Sequence, residues 1–133
     1  LSNQIKNFRD LEVWKRGVAI VMNCYSLTNQ FPKTEVYALS NQIQRSAISI
    51  PSNIAEGWAR GTSKEYSRFI DISRGSLAEL ETQLFIAKEL GYGKPEEIEK
   101  TINNCDELAK MLNVLSGRIK AKFSKPALVD YIP

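Results

Sequence analysis

A chain of 133 residues and 15.0 kDa has material for one hydrophobic core and not for two. Its 43% apolar and 25% charged residues fit neither a disordered chain nor a membrane-spanning one. Eighteen Lys and Arg against 15 Asp and Glu leave a formal charge of +3, and with no histidine at all the chain can build no Ser-His-Asp or Cys-His relay and no His-bearing zinc or di-iron site.

Leu11, Trp14, Val18, Val21, Tyr25 and Thr28 recur at spacings of three and four, which predicts an amphipathic helix over 9–30 that Phe31-Pro32 ends. A second stripe, Leu39, Ile43, Ala47, Ile50 and Ile54, predicts a helix over 34–60. Pro51 lies inside it. Proline removes one helical hydrogen bond and crowds the preceding turn at a cost of roughly 3 kcal/mol, so a kink is expected near Ser49-Ile50. Thr62-Ser63-Lys64-Glu65 has the form of a capping box. It opens a third helix over 63–90, with Ile70, Leu77, Leu80, Leu84 and Ala87 on its apolar face and Gly91 as its C-cap. Pro95 followed by Glu96, Glu97 and Glu99 opens the fourth, over 95–123. Its stripe is Ile98, Ile102, Cys105, Leu108, Leu112, Leu115, Ile119 and Phe123, and residues 124–133 are expected to form a tail.

No strand pattern competes with these helices. The fold class is therefore all-α, an up-down-up-down antiparallel four-helix bundle with a Pro-kinked second helix, formed by 1–133 as a single domain. Cys24 and Cys105 lack CxxC spacing and fall on apolar phases, so they are expected in the core as free thiols. The N-terminal residues carry no signal-peptide pattern, and no apolar run reaches the ~20 residues of a membrane helix. The expectation is a cytoplasmic protein with no membrane partner.

The second and third helices carry polar residues at core-like spacing. Gln42, Arg45, Ser49, Ser52 and Glu56 form one stripe; Phe69, Ile72, Ser76, Glu79, Gln83 and Ile86 form another, apolar at its ends and polar in the middle. Two readings are open: solvated faces, or a buried or interfacial network in which Arg45 pairs with Glu79 or Glu56 while Ser49, Ser76 and Gln83 satisfy the remaining groups. Catalysis by Glu56 and Glu79 would need a substrate cleft, and the chain offers no long loops to build one. The Gly57–Lys64 turn lacks phosphate-loop spacing and follows a helix. No catalytic residue, metal site or cofactor is expected, and the chain does not read as an enzyme. Arg60, Lys64 and Arg68 share a helix face, and Lys110, Arg118, Lys120, Lys122 and Lys125 occupy a stretch between Leu108 and Val129 with no acid. These cations either complement a helix dipole, at about 0.3–1 kcal/mol each, or form a phosphate-contacting surface.

Four segments carry a resemblance: Phe8-x-x-Leu11-x-Val13-Trp14; the run from Phe31-Pro32-Lys33 through Gln42-Ile43-x-Arg45-x-Ala47; Ser49-Ile50-Pro51-Ser52-Asn53-Ile54-Ala55-Glu56-Gly57; and Gly75-Ser76-Leu77-x-Glu79-Leu80-Glu81-Thr82-Gln83-Leu84. With them the chain resembles the four-helix-bundle protein family first described from intervening sequences in bacterial 23S ribosomal RNA genes. The match is dense over the first ninety or so residues and rests on pattern alone in the fourth helix. Gly17, and Gly91-Tyr92-Gly93, depart from the family pattern.

The resemblance implies a ring-like homopentamer, and it favours an interfacial network at Gln42, Arg45, Ser49, Asn53, Glu56, Ser76 and Glu79. A related accessory protein of diversity-generating retroelements binds nucleic acid together with a reverse transcriptase through a basic surface. By that analogy RNA or DNA, and a protein partner such as a reverse transcriptase, are expected partners. The candidate nucleic-acid contacts are Arg60, Lys64, Arg68, Arg118, Lys120 and Lys122. The alternative is a structural protein-interaction module with no nucleic-acid role.

Overall fold

The computed structural model describes residues 4–131, with side chains through Phe123. Among these residues there are four α-helices, α1 (Glu12–Thr28), α2 (Leu39–Ala59), α3 (Ser63–Glu89) and α4 (Pro95–Tyr131), with 3-10 turns at Phe8–Asp10 and Lys33–Glu35, and no strand. Each helix packs on two others in the cyclic order α1, α2, α3, α4, and the backbones of the diagonal pairs do not approach closely.

Residue pairs across the seams give the direction of each helix. Arg16 of α1 meets Glu107 of α4, and Gln30, just past the end of α1, meets Glu97 of α4; Gly17 faces Pro51 and Thr28 bonds Gln44 across α1 and α2. Ser49 meets Ser76 and Gly57 faces Phe69 across α2 and α3; Asp71 meets Lys120 and Lys88 meets Glu99 across α3 and α4. On every seam the numbering rises along one helix as it falls along the other, so neighbours run antiparallel. The core is built from the stripes that periodicity picks out: Ile43, Ala47, Ile50 and Ile54 of α2, Ile70, Leu77, Leu80, Leu84 and Ala87 of α3, and Ile98, Cys105, Leu108 and Leu112 of α4 are all buried. Each such Ile or Leu contributes about 1.5–3 kcal/mol by leaving water.

Helix ends differ from the sequence expectation where capping chemistry intervenes. Asn7 caps a 3-10 turn by accepting from the Arg9 N–H at 2.8 Å, and the Asp10 carboxylate accepts from the N–H of Lys6 and Asn7. This delays α1 to Glu12. After Pro32 the chain makes a second 3-10 turn, and Glu35 accepts the Leu39 N–H at 3.3 Å, so α2 starts at Leu39 and not at Thr34. Thr62 caps α3 through its hydroxyl, 3.2 Å from the Glu65 N–H, but Glu65 turns its carboxylate to Arg60 and Arg68. α3 ends with Gly91 at φ +76°, the N–H of Tyr92 bonding Ala87 and that of Gly91 bonding Lys88, a Schellman closure. α4 continues to Tyr131, through most of the segment expected as a tail; residues 132–133 lie outside the described residues.

Pro51 does not end α2, which is helical on both sides of it. Gly17 of α1 lies against its ring: an added Cβ would stand 3.4 Å from Pro51 Cβ and Cδ, in van der Waals contact.

Candidate functional site

The two polar stripes meet at the α2/α3 seam, and depth sorts their members. Ser49 and Ser76 share a hydroxyl–hydroxyl hydrogen bond of 2.8 Å, and the Asn53 amide donates to the Ser49 carbonyl and hydroxyl at 2.8 and 2.9 Å. One turn along, the buried Ser73 hydroxyl donates to the Ile50 carbonyl at 3.0 Å. Above this floor Gln42, Arg45 and Glu79 are exposed. Within one chain Arg45 pairs with neither Glu79 nor Glu56; Glu56 stands three turns along α2, about 16 Å away, and binds Arg60 at 2.8 Å. The expected network is therefore made at its short side chains and open at its long ones. Ile72 and Ile86, 39% and 43% exposed, flank the open part, and Gln83 Oε1 is buried there without a hydrogen-bond partner among the described residues.

The basic residues gather at one end of the bundle, since Asp71 of α3 touches Lys120 of α4 at 3.0 Å. Acids neutralise half of them. Arg60 binds Glu56 and Glu65, Arg68 binds Glu65 at 3.2 Å, and both guanidiniums lie over the Phe69 ring, 5.0 and 4.5 Å from its centroid. The bond from Arg68 holds Glu65 below its ordinary carboxylate value. Asp71 gathers Lys120, Arg74 and the Ser116 hydroxyl within 3.1 Å. Lys64, Arg118 and Lys122 are exposed, with no carboxylate in salt-bridge range among the described residues. The Lys125 side chain lies outside those described.

Three features had no clear sequence signal. A groove of about 420 Å³ runs between α1 and α4, lined by Leu11, Val13, Met111, Val114 and Leu115 and edged by Glu12, Lys110 and Arg118. At the other end Gln30 ties the two loops together, donating to Glu97 and accepting the Lys94 N–H, while the Tyr92 hydroxyl donates to Glu35 at 3.0 Å. Glu81 faces Asp106 across α3 and α4; burial first, then hydrogen bonding to Asp106 and repulsion from it, push its pKa from 4.5 up to about 7. Cys24 and Cys105 are free and buried, and burial pushes the Cys24 thiol up to about 12, away from thiolate reactivity. Among the described residues no group of three Cys, Asp or Glu could hold a metal ion, and no helix is long and apolar enough to cross a membrane.

No curated protein gives a significant match to the chain. The model of the family described as 23S rRNA-intervening sequence protein matches residues 9–114, an interval that runs from the first 3-10 turn to the middle of α4 and takes in the whole α2/α3 seam. A match over that much of the chain, on a fold of four packed helices, places it: the protein belongs to the 23S rRNA-intervening sequence protein family.

Proposed function

We propose that this chain is a non-catalytic bundle that works as a homo-oligomer in the cytoplasm, with the homopentamer implied by the family resemblance as its assembly. The observation that carries the reading is the α2/α3 face. Arg45 and Glu79 stand exposed over a hydrogen-bonded Ser49, Ser76 and Asn53 floor, between two exposed isoleucines. A solvated face does not need isoleucines, and an intrachain network would not leave its longest polar side chains open. A second copy covering the face would satisfy both. Light scattering on the purified protein at micromolar concentration tests it: the expected mass is five times 15.0 kDa, and a stable monomer overturns it.

A second reading is favoured by one observation. Lys64, Arg118 and Lys122 lie at the same end of the bundle without carboxylate partners among the described residues. Repeated around an assembly, three weak phosphate contacts per copy sum by multivalency. On this reading the oligomer is a nucleic-acid-binding accessory protein for RNA or DNA, acting beside a protein partner such as a reverse transcriptase. Salt-titrated binding to single- and double-stranded RNA and DNA separates it from a purely structural interaction module.

A further inference from the structure

We infer that self-association runs head to tail, with the outward ridge of α3 in one copy seated in the α1/α4 groove of the next. The inference rests on the self-association proposed above and names the two surfaces that meet. The groove is an apolar trough whose rim carries two cations and one acid: Val114, 54% exposed, stands in it, Lys110 and Arg118 flank it without a carboxylate in salt-bridge range among the described residues, and Glu12 on the α1 side is drawn to Arg16 at 3.8 Å. Lys110 and Arg118 are two helical turns apart, about 12 Å along the axis.

The ridge has the opposite composition. On the exposed side of α3, Phe85 and Ile86, 56% and 43% exposed, lie between Glu79 and Glu89. The two carboxylates are about 15 Å apart along the helix, close to the spacing of the groove cations. Two open cations about an apolar trough, with Glu12 turned to Arg16, thus face carboxylate, apolar, carboxylate on the other surface. A chain cannot seat its own ridge in its own groove, because the ridge residues lie on the solvent side of α3 and α3 is diagonal to α1, with no close backbone approach between the two.

The ridge also carries an exposed glycine inside a helix, Gly75 of α3, one turn before Glu79, with nothing within 4 Å of where a Cβ would be. Glycine in a helix interior is unfavourable, and packing within one chain gives no return for it. A partner backbone approaching closely would. Because groove and ridge are different surfaces, the contact is heterologous, and each copy offers both halves, so it propagates around a closed ring or along an open row.

Charge reversal tests this. The groove variant Lys110→Glu/Arg118→Glu and the ridge variant Glu79→Lys/Glu89→Lys each place like charges across the contact. Each is expected to weaken assembly by about a hundredfold or more, as read by light scattering over a dilution series. The quadruple variant restores opposite charges and should reassemble. All four side chains lie at the surface, so thermal melts followed by circular dichroism should confirm that the variants fold. Wild type that assembles, single-surface variants that do not, and a quadruple variant that does would establish the contact. Assembly unchanged by either reversal would overturn it while leaving self-association standing. A monomeric wild type would overturn both, leaving the basic-edged groove to an acidic helix of another protein.

Discussion

Phe69 Cβ occupies the space that a side chain at Gly57 would need: a Cβ built on Gly57 stands 2.6 Å from it and 3.3 Å from the Tyr66 carbonyl oxygen. Both obstacles are fixed to the α3 backbone and cannot swing away as the end of a flexible side chain would. Gly57 therefore sets how closely the end of α2 approaches the start of α3, which in turn holds Arg60 over the Phe69 ring. We predict that Gly57→Ala destabilises the fold by about 1–3 kcal/mol, although alanine is the better helix former, because overpacking at a fixed contact outweighs propensity. A thermal melt showing equal or greater stability would contradict this.

Glu81 and Asp106 make stability depend on pH in an unusual direction. The Glu81 carboxyl is half-buried, and burial first, then hydrogen bonding to Asp106 and repulsion from it, raise its pKa from 4.5 to about 7. The folded chain then holds this proton more tightly than the unfolded chain does. The resulting stabilisation is complete below the unfolded value and is lost as pH rises through about 7. The urea midpoint is expected to be higher near pH 5 than near pH 8, and Glu81→Gln, which keeps the shape without the ionisation, should remove most of the difference. A wild-type midpoint that rises between those values would show that the pair does not hold the proton.

The α2/α3 seam separates residues that act within the chain from those that do not. Asn53→Ala removes both hydrogen bonds to Ser49 and should cost about 1 kcal/mol or more. Arg45→Ala removes an exposed side chain with no carboxylate in reach among the described residues, so the unfolding free energy of the isolated chain should change by no more than about 0.5 kcal/mol. Urea titrations at concentrations too low for assembly would measure both. A large loss for Arg45→Ala in a monomer would mean that its guanidinium has an intrachain partner.

The four helices were legible because burial imposes a period: the phases of Ile43, Ile50 and Ile54, and of Leu77, Leu80 and Leu84, coincide with the buried faces. Depth was not legible. Arg45 and Ser49 share a phase, yet the serine reaches only to the seam and bonds Ser76, while the longer arginine continues into solvent. Pairing distant in sequence was hidden too. A run of cations near the end of α4 reads as uniformly positive until α3 brings Asp71 against Lys120. The α1/α4 groove has no motif, since it is the incomplete contact between two stripes that each look like ordinary core. Helix starts moved because Asn7 caps a 3-10 turn ahead of α1 and Glu35 accepts the first N–H of α2, contacts that hydrophobic period does not register.

The cations at the α3/α4 end divide into those already bound to acids and those open to phosphate, and this makes nucleic-acid binding a sharp test. Lys120 is held by Asp71, and Arg60 and Arg68 by Glu56 and Glu65, so a phosphate would have to compete for them. Lys64 and Lys122 are exposed without such a partner among the described residues and lie outside the α1/α4 groove. Lys64→Glu/Lys122→Glu should weaken binding to all sequences alike. The log–log dependence on salt should flatten by about 0.9 for each duplex phosphate that is no longer neutralised, or by about 0.7 on a single strand. Lys120→Glu has a different expected cost: it sets a carboxylate against Asp71 and should lower the melting temperature. A wild-type protein that retains no RNA or DNA near physiological salt, or a Lys64/Lys122 variant with an unchanged salt slope, would remove phosphate binding from the role of this end of the bundle.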